Sequence, residues 1–179
     1  MNDAWWDDLS RATGIVATVL AVAALVMGLF FSARNTGERR RPAWWLDLHN
    51  WLGGLTLAFV AAHIVAAYLD PALGIGVLQV LVPGTARNSP WAITWGVIAT
   101  YVLAITVFTT WPRRRFSRPV WRLVHLTSVG GVILAGLHAF QSGSDATTLA
   151  FEAGLAVAAA AGIYAVGVRL LDLATRQRR

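Results

Sequence analysis

Five stretches of this chain are each about as long as the ~20 apolar residues that a helix needs to cross the hydrocarbon core of a bilayer. They run over residues 13–31, 45–69, 91–111, 120–140 and 148–171. A bilayer interior offers no water to backbone amides and carbonyls, so each stretch has to satisfy them internally, as a helix. The expectation is an all-α integral membrane protein, a five-helix transmembrane bundle forming one domain over residues 1–179. Composition agrees: charged residues make up 13% of the chain, against roughly 25% in an average soluble domain. The flank of the first stretch reads Asn2-Asp3-Ala4-Trp5-Trp6-Asp7-Asp8. A secretory leader is basic there, so a retained span is expected.

The connections between spans set the orientation. Arg34, Arg39, Arg40 and Arg41 follow the first span, Arg113, Arg114, Arg115 and Arg118 follow the third, and Arg176, Arg178 and Arg179 end the chain. The alternate connections carry Asp3, Asp7, Asp8, Asp70, Asp145 and Glu152, offset only by Arg11 and Arg87. The positive-inside rule then gives a multi-pass protein of the cell membrane with its N-terminus outside and its C-terminus cytoplasmic. The net charge of +6 is explained the same way: arginines at span ends meet membrane lipid, and no nucleic acid is expected. Trp44, Trp45, Trp91 and Trp111 sit at span ends as interfacial anchors. Residues 73–82 are apolar but too short to span, which suggests a short interfacial element on the outer face between helices 2 and 3.

The chain has no cysteine, which excludes disulfides, iron–sulfur clusters, thiolate-ligated haem and covalent c-type attachment. Its four histidines fall in two spans: His49 and His63 in the second, His125 and His138 in the fourth. Spacings of 14 and 13 residues separate two levels by roughly 20 Å along helices rising about 1.5 Å per residue. Each level draws one imidazole from each span, His49 with His125 at the inner level and His63 with His138 at the outer. Two imidazoles facing each other across a bundle make a bis-histidine haem site, in which the porphyrin supplies the other four ligands. Zinc, copper or nickel would need further protein ligands, and neither HxxxH nor HExxH occurs. Hydrogen-bonded core histidines are the plainer alternative.

The angles are uneven. At about 100° per residue, a 14-residue step returns to within roughly 40° of the starting face, whereas 13 residues leave about 140°. The fourth span would need distortion, for which Gly130, Gly131 and Gly136 offer places, or differently oriented haems; Gly53 and Gly54 would give clearance for a porphyrin or for a packed helix. The second ring nitrogens need acceptors, a backbone carbonyl or a hydroxyl such as Thr127 or Ser128. Arg122, three residues before His125, and Arg87 on the outer connection are candidates to pair with haem propionates, unless they merely snorkel to the interface.

With these four histidines and the segment Trp121-Arg122-Leu123-Val124-His125, residues 46–145 resemble the ferric reductase-like transmembrane domain family. That family includes the membrane parts of ferric reductases and NADPH oxidases and the haem subunit of the bacterial methionine sulfoxide reductase system. The 13-residue spacing is the family's own in its second ligand helix, and Leu69-Asp70-Pro71 and Ser89-Pro90-Trp91 also look like small bacterial members. The resemblance implies two haem b groups, with His49 and His125 on the inner iron and His63 and His138 on the outer, passing electrons from an inner donor to an outer acceptor. Many relatives have six spans where this chain has five. No GxGxxG occurs, so no flavin or nicotinamide site is expected in this chain, and a separate flavoprotein or quinol must be the donor. Ferric iron, a flavoprotein or a periplasmic reductase would be the acceptor. The rival readings are a quinol-linked membrane cytochrome and a haem-free scaffold or transporter.

Overall fold

The computed structural model describes residues 3–33, 43–110, 116–142 and 148–177. Among the described residues six helices follow one another: α1 (Asp3–Ala33), α2 (Ala43–Leu69), α3 (Val77–Leu81), α4 (Pro90–Thr110), α5 (Arg118–Ser142) and α6 (Leu149–Gln177). There is no strand among the described residues. The five long helices are each long and apolar enough to cross a membrane, and the chain is a multi-pass membrane protein. Arg34, Arg39 to Arg41, Trp111, Arg113 to Arg115, Asp145, Arg178 and Arg179 lie outside the described residues.

Helix α1 begins well before its apolar stretch. Arg11 pairs with Asp7 at 3.3 Å and with Asp8 at 2.9 Å, and such contacts one turn apart support helix where lipid does not. Beyond them a stripe of small residues takes over. Ala17, Ala21 and Ala24 recur every three or four positions and are buried, as are Ala66 and Ala67 on α2; small side chains let the two backbones close on each other. Helices α1 and α2 form one tightly packed pair and α4 and α5 another, while α1 also touches α5 and α6. Direct backbone approach between α2 and α5 is scant. Arg169 of α6 donates to the Ser32 carbonyl at 3.1 Å and pairs with Asp172 at 2.7 Å, so α6 satisfies part of the last turn of α1.

Trp51, Phe108, Leu123 and Ile163 are each more than 65% exposed. In water so much apolar surface would aggregate; in a bilayer it meets acyl chains. Hydroxyls are kept from the lipid. Thr18, Thr56, Thr100, Thr106 and Thr110 each donate to the carbonyl four residues earlier, the usual way to hide such a group in a spanning helix.

The connection between α2 and α4 holds the short helix α3. Gly74 and Gly84 flank it with φ of 58° and 82°, turns that favour glycine. The Tyr101 hydroxyl of α4 donates to the Leu81 carbonyl at 2.6 Å and ties α3 down. Asp70, read from the sequence as one of the exterior acids, is only 2% exposed. Its carboxylate accepts the Ala72 amide at 2.9 Å and so opens the turn that follows α2.

Candidate functional site

The 14-residue spacing puts both histidines of α2 on one face, and that face meets α1. His49 Nδ1 donates to the Ala24 carbonyl at 2.9 Å, and His63 Nδ1 donates to the Ser10 carbonyl at 2.8 Å. On α5 the 13-residue spacing has the opposite consequence: a turn of about 140° lets only one histidine face the neighbouring α4. That one is His138, whose Nδ1 donates to the Ala92 carbonyl at 2.8 Å, with the Ser142 hydroxyl 3.2 Å away. His125 stacks on Trp121 instead, with ring centroids 4.9 Å apart and planes at 21°. Its Nδ1 is buried without a partner, as is Trp121 Nε1.

A carbonyl oxygen only accepts, so Nδ1 of His49, His63 and His138 carries the proton and Nε2 keeps its lone pair. The rings of α2 and α5 come together in two couples across the gap between these helices. His49 lies with its ring centroid 5.9 Å from that of His125, and His63 lies 5.9 Å from His138, with interplanar angles of 64° and 75°. Two imidazoles bound opposite each other on one first-row metal have centroids about 6 Å apart, given metal–nitrogen bonds of about 2.0 Å and roughly 1.1 Å from nitrogen to ring centre. Each level therefore has the spacing of two axial ligands. Among the described residues no third histidine or carboxylate joins either couple, so a metal held there would take its remaining ligands from elsewhere. A donor set of two neutral imidazoles with no nearby anion fits an iron porphyrin.

Several sequence-based expectations change here. Thr127 and Ser128 do not serve the imidazoles; they donate within α5, to the Val124 carbonyl at 2.6 Å and the His125 carbonyl at 2.7 Å. The glycines of α5 do not break it, for the helix runs unbroken over Arg118–Ser142. Distortion is unnecessary because the two histidines approach their counterparts from different sides of the helix. Gly131 is buried against Val102 and Leu103 of α4, a packing role. Trp45, read as an interfacial anchor, also donates its indole N–H to the Met27 carbonyl at 2.9 Å, one turn from the bond made by His49. Arg122 is exposed on α5. Arg87 is exposed on the connection after α3, where it lines a cavity of about 150 Å³ with Gln79 and Asn88. Neither arginine is brought against a histidine.

The model of one protein family, the ferric reductase like transmembrane component, matches residues 13–136. The matched segment is more than two thirds of the chain and contains His49, His63, Trp121 and His125. The chain belongs to the ferric reductase-like transmembrane family. No curated protein and no solved structure matches it. Membership of the ferric reductase-like family makes this a membrane component of oxidoreductase electron transfer, working with electron-transfer partners, in a family that is generally haem-binding. His138 stands just beyond the matched segment, yet its ring lies as far from that of His63 as the ring of His125 lies from that of His49.

Proposed function

We propose that this ferric reductase-like chain is a dihaem b-type cytochrome that carries electrons across the membrane from an inner donor to an outer acceptor. What carries the reading is the presence of two imidazole couples, each with centroids 5.9 Å apart, at two depths of one bundle. His49 and His125 hold the inner iron, and His63 and His138 the outer. The N-terminus is outside and the C-terminus cytoplasmic.

Bound haem supplies one-electron iron chemistry. The protein supplies everything that decides where and when this occurs. Its helices place two couples roughly 20 Å apart along the membrane normal, dividing an insulating layer into shorter intervals. Carbonyls on α1 and α4 fix the tautomer of three rings and leave their Nε2 atoms free to ligate, which also raises the basicity of those nitrogens. Two imidazoles per level would hold each haem, and an acceptor would then meet an exposed edge or a partner protein. Arg122 at the inner level and Arg87 at the outer pair with propionates. A separate flavoprotein or quinol delivers electrons on the inner side, and ferric iron, a flavoprotein or a periplasmic reductase takes them on the outer.

The purified protein should show b-type bands on dithionite reduction and two haems per chain by pyridine haemochrome. A folded, colourless protein would overturn the proposal.

A further inference from the structure

Each of the three hydrogen-bonded imidazoles lies against a glycine one turn beyond its acceptor. His49 donates to Ala24 and rests on Gly28; His63 donates to Ser10 and rests on Gly14; His138 donates to Ala92 and rests on Gly96. The offset from carbonyl to glycine is four residues each time, so both lie on the same face of the helix, one turn apart. The space is tight. A Cβ at Gly14 would stand 3.0 Å from His63 Nδ1, one at Gly28 3.0 Å from His49 Cε1, and one at Gly96 2.8 Å from His138 Nδ1. Ordinary carbon contacts begin near 3.5 Å, so any side chain there displaces the ring. The displacement would act on a hydrogen bond of 2.8 or 2.9 Å that has little slack.

We propose that Gly14, Gly28 and Gly96 are positioning residues, each forming with the carbonyl one turn earlier a seat that fixes one histidine for metal ligation. The inference rests on the haem reading given above and extends it to α1 and α4, which carry no ligand themselves. It is also asymmetric. Both histidines of the outer level are seated, by Gly14 and Gly96, whereas the inner level has one seated ring, His49, and one held by stacking on Trp121. The cause is the 13-residue spacing on α5, which turns His125 away from α4.

The test is a set of alanine substitutions in the full chain, read by haem content and by electron paramagnetic resonance of the oxidised protein. The two haem signals are assigned with His49→Ala and His63→Ala. Gly14→Ala and Gly96→Ala should shift or deplete the outer signal, with haem affinity at that level falling about 10- to 100-fold, the usual cost of disturbing a ligand's supporting hydrogen bond. Gly28→Ala should do so at the inner level only. Gly154→Ala on α6, where a Cβ meets nothing within 4 Å, should change neither. Loss of both haems together in any seat variant would mark a packing role alone and overturn the proposal. So would unchanged signals in all three variants while the unsubstituted protein carries two haems, a result that leaves the haem reading intact. An unsubstituted protein without haem overturns the functional reading, and the seats with it.

Discussion

Replacing His63 with alanine is expected to empty the outer level and bring haem content down from two per chain to one. The substitution removes one of the two imidazoles whose centroids lie 5.9 Å apart and leaves His138 facing open space. It also releases the Ser10 carbonyl that His63 engages, so α1 loses a contact with α2 at that depth. The inner couple depends on neither group, and its signal should stay as it is. Transfer across the membrane should fall to background, because an electron at the inner level would face the remaining distance of roughly 20 Å in one interval. Vesicles with dithionite trapped inside and ferricyanide outside measure this directly. His49→Ala is the mirror case, in which the outer haem stays bound but is no longer reduced from within. A His63→Ala protein with two haems and normal transfer would contradict the pairing.

The second large effect is expected from Gly131→Leu. Gly131 is the point where α5 presses on α4: a Cβ there would lie 2.9 Å from Val102 Cγ1 and 3.1 Å from Leu103 Cδ2. Leu103 is itself buried, and an isobutyl group has nowhere to go without parting the helices. Overpacking of this kind costs about 1–3 kcal/mol, most of it in the α4–α5 pair. Since α4 also provides the acceptor for His138, the damage should reach the outer haem first. A lower thermal midpoint in detergent, with the outer haem lost at lower temperature than the inner, is the expected result. Gly154→Leu, at an open and exposed position on α6, should leave both unchanged; equal effects from the two substitutions would show that Gly131 is no special contact.

Much of this molecule is legible in its sequence because the membrane simplifies the problem. A run of apolar residues near the thickness of the hydrocarbon core has one backbone solution, so α2, α4 and α5 fall close to their apolar stretches. The early start of α1 is less visible, since it rests on the local pairing of Arg11 with Asp7 and Asp8. The burial of Asp70 and its bond to the Ala72 amide are not visible in the sequence either, because both come from the way the connection after α2 packs. At the site, the histidines announce themselves by chemical type and spacing. Their supporting acceptors do not, because every residue has a carbonyl and only the packing of α1 on α2 and of α4 on α5 selects Ser10, Ala24 and Ala92. One signal was present nonetheless: Gly14 and Gly28 are 14 residues apart, as are His49 and His63, which is what two antiparallel helices in constant register require. The uneven angle on α5 leaves distortion and a different orientation at the two levels both open until the neighbouring α4 is considered.

Near-infrared magnetic circular dichroism of the oxidised, purified protein reads the pair of axial ligands on each haem iron and so bears most directly on the two imidazole couples. Bis-imidazole ligation of both irons is the predicted result. A high-spin or five-coordinate iron at either level, or an axial ligand other than histidine, would contradict it.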